Sequence, residues 1–401
     1  TGQTGISAST LYRLRQLLGL DEHPIKIIEP FQLLGEVEED LLTYFDIDAV
    51  GLWNRGTLFG LINEEWEPWE MPDGTPVLMS KGFAYDVDEK GDTYVYPQGD
   101  RTVPPSLRLP KGGYFFDNIN RSGDIDENDL DPRRDFANLY PVFSDEDARH
   151  LEAESKRLRS GSDRAVIYNF NGGGFGDAAI VPGPYEKHPR GIRKLEDWYM
   201  AHYLYPEYLH ELFRFQKEVA LRNLAIIKDA VGDNIDVINI SCTDFGSQNG
   251  ELMSVEQFRE FYLPHYRELN GWVHQNTSWK THFHCCGSIT KLLDDFADCG
   301  VDVLNPVQWT ATGMDPEMLK QSYGRDFTFW GGGIDTQKTL PFGTPEEVRA
   351  QVLEKVSVFS RGGGFVFNTI HNILGKTPPE NVLAMFDAVK EFTTQAERAG
   401  S

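Results

Sequence analysis

Two histidines and two cysteines fall within five consecutive residues, His282-Phe-His-Cys-Cys286, at the end of an apolar run. Imidazole nitrogen and thiolate sulfur together make a zinc-type donor set. Trp279 to Phe283 reads as a short strand. Gly287 and Ser288 break it, and Ile289, Leu292, Leu293 and Phe296 follow at helical spacing. On such a strand His284 and Cys286, two positions apart, project from one face. Two ligands do not hold a zinc, so a third donor has to come from elsewhere in the chain.

The elements that must position these side chains repeat along the second half of the sequence. Strands are predicted at Ile47–Trp53, Ala165–Phe170, Asp236–Ile240, Lys280–Cys285, Val301–Leu304, Phe327–Trp330 and Gly364–Phe367. Helices are predicted at Asp145–Arg159 behind a Ser144 cap, around Trp198, at Pro206–Val231, from Val255, from the Thr344-Pro-Glu-Glu347 cap, and at Pro379–Ala396. Strand then helix, repeated in this way, means parallel strands with crossover helices. No Gly-x-Gly-x-x-Gly opens the first unit, which disfavours a dinucleotide fold. Polar and glycine-rich residues collect after the strands, where a (β/α)8 TIM barrel builds its site. That is the expected fold.

In a barrel, the residues after the strands converge on one mouth. It would gather Asp244, Gln248, His284, Cys286, Asn305, Gln308, Asp335, Gln337 and His371. His371 is the candidate third ligand, with Cys242 and His282 as alternatives. Three protein ligands with a fourth position open describe a catalytic zinc. Asp244 is either an acid/base or a turn cap, and Cys299 reads as a small core residue.

Ahead of this body the texture differs. Residues 1–55 are expected to hold two helices, Leu11–Leu20 and Phe31–Phe45, and the first barrel strand, with Thr1–Ser9 frayed. Residues 56–143 interleave aromatics with Gly, Pro and Asp, with turn signals at Asp73-Gly74 and Lys90-Gly91, and read as a β-rich insertion or lid. Residues 144–401 form the main barrel body. A formal charge of −24 argues against nucleic acid or an anionic membrane as partner. No apolar run approaches the ~20 residues of a membrane span. Four cysteines in 401 residues make no disulfide framework, which fits a cytoplasmic protein.

Several stretches resemble the uroporphyrinogen decarboxylase superfamily, which includes cobamide-dependent methyltransferases. They are Thr243-Asp-Phe-Gly-Ser-Gln248, His284-Cys-Cys-Gly-Ser-Ile289, Gly300-Val-Asp-Val-Leu-Asn-Pro306, Gly332-Gly-Ile-Asp-Thr-Gln337, Gly343-Thr-Pro-Glu-Glu-Val348 and Asn368 to Val382. The resemblance implies a (β/α)8 barrel. Its methyltransferase branch implies zinc on a His-x-Cys pair, matched by His284 and Cys286, and on a later Cys, where this chain has His371. In the decarboxylase branch a His at that late position contacts substrate. The Met-Arg-Gln-Ala-Gly-Arg motif that clamps carboxylates in the decarboxylase is absent, Arg13, Arg15 and Arg55 standing in other contexts.

The resemblance therefore implies first a zinc-dependent methyltransferase, an O-demethylase type. It would move a methyl group between a small, methoxylated aromatic substrate and a corrinoid (methylcobamide). Asp244 or Asp335 would act as acid/base, with Gln248, Asn305, Gln308 and Gln337 orienting the substrate. No Asp-x-His-x-x-Gly pattern occurs, so the corrinoid is expected on a partner protein. The alternatives are a decarboxylase of tetrapyrrole metabolism and a corrinoid or tetrapyrrole binding module without chemistry.

Overall fold

The computed structural model describes residues 4–400. Seven parallel strands follow one another in chain order: β1 Ala49–Leu52, β2 Ala165–Tyr168, β3 Val237–Ser241, β4 Lys280–His284, β5 Val303–Asn305, β6 Thr328–Trp330 and β7 Phe365–Val366. Each pairs with its neighbours in sequence, as crossover helices require. Those helices start where the sequence caps them. Ser144 with Asp147, Ser254 with Gln257 and Thr344 with Glu347 each form a reciprocal capping box.

The sheet curls until its two ends share one interior. Ile167, Val237, Val303 and Trp330 form a small inner cluster, and Ala49 of β1 and Val366 of β7 both pack against it. A much larger apolar layer lies outside, between strands and helices. The architecture is a TIM-barrel-like α/β fold, with seven strands in its sheet among the described residues rather than eight. After β7 the chain runs through Asn, Gly and Pro and gives its next bridge to the N-terminal segment, Ile373 to Ile6. β1 and β7 therefore remain edges, with a seam between them.

Residues 25–118 add two four-stranded sheets. One joins Leu34–Gly35, Ile25–Glu29, Pro76–Ser80 and Trp66–Glu70; the other is a meander of Tyr85–Val87, Thr93–Val95, Leu107–Leu109 and Asp117–Asn118. The turns at Gly74 and Gly91 carry φ of 83° and 89°, the region open to glycine.

Two local expectations fail. The predicted helix Phe31–Phe45 shrinks to Glu39–Tyr44, because Leu34–Gly35 pairs antiparallel with Ile25–Glu29 instead. Residues 4–9, expected to fray, are tied down: Gly5 N donates to Asn372 Oδ1 at 2.6 Å, and a helix begins at Ala8, not Leu11. Thr1 to Gln3 lie outside the described residues. Among the described residues, no helix is long and apolar enough to cross a membrane.

Candidate metal centre at the barrel mouth

Strand β4 sorts its side chains by parity. Phe283 faces outward against Tyr266, with ring centroids 4.6 Å apart, and against Phe296. Cys285 continues that face, 1% exposed within the outer apolar layer, its Sγ accepting from Phe245 N at 3.2 Å. His282, His284 and Cys286 occupy the other parity and point to the barrel axis. Immediately after Cys286 the chain must pass the loop at residues 246–247. A Cβ on Gly287 (φ 88°) would sit 2.4 Å from the Gly246 carbonyl carbon, so only glycine lets the turn close there.

The neighbouring strand fixes the tautomer of His284. Asn305 lies opposite it in the β4–β5 register. The Asn305 amide donates Nδ2–H to the Trp330 carbonyl at 2.7 Å, which leaves Oδ1 facing His284 Nδ1 at 2.6 Å. Nδ1 therefore donates, and the lone pair resides on Nε2. That Nε2 stands 3.3 Å from Cys286 Sγ. His371, just after β7, brings its ring to 5.8 Å from the His284 ring. One donor atom from each of His284, Cys286 and His371 lies within 4.8 Å of the others.

Burial sets the protonation of the group. His284 and His371 are both pushed down to about 4 by desolvation, so each offers a lone pair at neutral pH. Desolvation pushes the Cys286 thiol well above its ordinary range, and the nearby Asp244 adds to this. Asp244 itself, reached by solvent at the mouth but walled by protein, is raised by desolvation; its Oδ1 accepts from Cys286 N at 2.6 Å. The three donors lie close enough together to hold a metal ion. It would meet two neutral imidazoles and convert the thiol to thiolate. Two ligands on a tetrahedral zinc sit about 3.5 Å apart from their bond lengths, and the 3.3 Å between Nε2 and Sγ matches.

The other residues singled out from the sequence take varied places. Gln308 is buried and its Oε1 accepts from Gly287 N at 2.7 Å, fastening the turn behind Cys286. Gln248 is exposed, and its backbone carbonyl receives Thr312 N at 3.0 Å. Asp335 Oδ1 accepts from Gln337 N at 2.7 Å and Lys338 N at 3.2 Å, capping its own turn, and the Gln337 side chain is exposed. Neither alternative third ligand joins the donor group. Cys242 Sγ donates to Asn171 Oδ1 at 2.8 Å, and His282 sits one residue pair deeper, its Nδ1 3.0 Å from the Asn239 amide. Cys299 is 2% exposed in the outer layer.

The structure adds residues that motif reading missed. Asp177, in the loop after β2, is raised to about 7 by desolvation, with Asp244 adding to the rise and a bond from Ala179 N opposing it. Tyr199 lies within electrostatic reach of both carboxyls. This loop opens on Gly172-Gly-Gly174, and nothing in that spacing singles out the carboxylate beyond it.

Comparison with known proteins agrees with this architecture. Residues 188–392 match the family described as uroporphyrinogen decarboxylase (URO-D). A curated uroporphyrinogen decarboxylase from Prochlorococcus marinus (strain NATL1A) is 25% identical over 312 residues, 77% of this chain and 82% of that protein. One from Crocosphaera subtropica is 24% identical over 285 residues, 71% of this chain and 74% of that protein. A solved structure of a methyltransferase from Methanosarcina mazei superposes with a TM-score of 0.53 at 15% identity, covering 98% of this chain and 95% of that one. The chain belongs to the URO-D family.

Proposed function

We propose that this member of the URO-D family is a methyltransferase that uses zinc at His284, Cys286 and His371. Its task would be to move a methyl group between a small methoxylated aromatic substrate and a corrinoid held by a partner protein. The observation that carries the reading is the donor group itself: two neutral imidazoles and a thiol, one imidazole locked by Asn305 with its lone pair turned to the sulfur. Zinc bound there would supply Lewis-acid polarisation of an ether oxygen or a thiol. Asn305 holds His284 in the required tautomer, and Gln308 holds the turn that presents Cys286. Asp244, beside Cys286 and raised in pKa by burial, would serve as the acid/base for the leaving oxygen. Asp335 spends its carboxylate on its own turn, so the acid/base role goes to Asp244.

The curated relatives carry the name uroporphyrinogen decarboxylase, which supports decarboxylation as the second reading. The pairing of Arg13, Arg15 and Arg55 weighs against it. Arg13 binds the backbone carbonyls of Ser9 and Gly375, Arg15 pairs with Glu38 and Asp40, and Arg55 pairs with Glu64 and Glu146. Bidentate capture of several carboxylates needs free guanidinium groups.

Metal analysis of the purified chain, joined to anaerobic methyl transfer from methoxylated aromatics to a reduced corrinoid, tests the proposal. About one zinc per chain, lost in Cys286→Ala together with transfer, is expected under the proposal. Decarboxylation of a tetrapyrrole by zinc-free chain would sink it.

A further inference from the structure

One cavity of the molecule lies away from the metal group. It has a volume of about 1040 Å³ and lies along the seam between β1 and β7, lined by Ala49, Gly51 and Asn54 on one side and by Val366 and Asn368 on the other. Trp330, a lumen residue, also lines it. The seam thus reaches from the outer surface into the barrel.

The lumen layer it meets is unusual in composition. A barrel of this type fills its interior with bulky apolar side chains. Here the apolar inner cluster lies at one level, and two residues further along the strands come Gly51, Asn169, Asn239, His282, Asn305 and Asn368. Four polar atoms in this region have no protein partner: His282 Nε2, Trp330 Nε1 and both ends of the Asn169 amide. Their residues are 1%, 6% and 5% exposed, and the His282 and Trp330 rings meet edge-on at 5.6 Å. Bare buried polar atoms in that number would offset much of a domain's stability. Grouped donors and acceptors are what buried water requires.

We propose that the seam between β1 and β7 is a side entrance through which water reaches a hydrated lumen beneath His284 and Asn305. The lumen then exchanges water and protons with solvent while the mouth is covered by substrate or by a partner protein. This inference does not depend on the methyl-transfer reading.

The test is water exchange at tryptophan indoles in the full-length chain labelled with ¹⁵N-tryptophan, run with and without added zinc. Trp330→Phe assigns the signal. Trp279 and Trp309 serve as hydrogen-bonded controls, since their Nε1 atoms donate to Gly232 O at 3.0 Å and Gly332 O at 2.7 Å. Trp330 should exchange at least tenfold faster than either; equal protection would overturn a wet lumen. Gly51→Val places branched carbon in the seam beside Trp53 and Asn169, whose nearest atoms lie 3.1 and 3.7 Å from a Cβ at that position. It should slow Trp330 exchange tenfold or more, and unchanged exchange would overturn the side route. Should that variant fail to fold, Asn169→Leu decides on sign. A hydrated lumen lowers Tm on the substitution, whereas a dry one raises it by removing two unsatisfied atoms.

Discussion

Cys285 and Cys286 are neighbours of the same type in opposite surroundings. Cys285 sits on the outer face of β4, continuing a row with Phe283, in the apolar layer that also holds Tyr266, Phe296 and Phe245. Cys286 continues the inner row of His282 and His284, against imidazole nitrogen and the Asp244 carboxyl. Burial pushes both thiols well above the ordinary range, so acidity does not separate them. Company does. The outer face offers rings and backbone groups, Phe245 N–H among them, while the inner face offers lone pairs that a cation can share. A one-residue slip of β4 would exchange the two fates.

The two faces should fail in different currencies. On the outer face, Phe283→Ala removes a ring packed between helices and should cost about 3–5 kcal/mol of stability. Chemical denaturation measures it, and the folded fraction should still bind zinc. A loss of metal affinity in that folded fraction would contradict the division. On the inner face, Cys286→Ala should weaken zinc by more than about a hundredfold, the upper range for a mere outer-sphere partner, with a small change in Tm of the metal-free chain. Cys285→Ala is its matched control. Competition titration against a chelator should leave its affinity within about threefold of the parent, because the side chain stays in the outer apolar layer.

The inner row was legible in the sequence because period-two alternation is geometric and survives any packing detail. His284 and Cys286 at i and i+2 had to share a face, and Cys285 had to take the other. His371 was legible as a strand-end residue once the repeated strand–helix pattern implied a barrel. The tautomer lock was not, since it needs the β4–β5 register that sets Asn305 opposite His284. Asp177 was hidden for the same reason: a loop carboxylate gains its character from burial beside Asp244, and no local pattern reports that. The seam was masked by the assumption of eight strands. Closure is decided by where residues 367–378 pair, and Ile373 pairs with Ile6. The predicted helix Phe31–Phe45 erred through the same kind of tertiary override, its start being drawn into a sheet.

Asn305 allows the inner face to be weakened without touching a donor. Asn305→Ala removes the acceptor that turns His284 Nε2 toward the sulfur. Zinc affinity should fall by about 10–100-fold, the usual worth of such a partner. Cys286 should still react with a thiol reagent at the parent's rate in the metal-free chain. An unchanged zinc affinity would mean that His284 is oriented by packing alone.

The smallest effect concerns charge at the mouth, which the outer face never has to bear. Asp177 has a folded value of about 7 against an ordinary 3.8, raised chiefly by desolvation. A carboxyl whose folded value lies above its unfolded one keeps its proton longer when folded. Its favourable contribution is complete below about pH 4 and is lost as pH rises through 7. Asp177→Asn is neutral at every pH and escapes that loss. The variant should match the parent at pH 4 and exceed it at pH 8 by about 1–2 kcal/mol, a figure reduced for the solvent that reaches the mouth. Denaturation curves at the two pH values give the comparison directly. A gap of the same size at both would trace the effect to packing of the amide, and a gap of opposite sign would mean that the ionised carboxylate has a cationic partner in the folded chain.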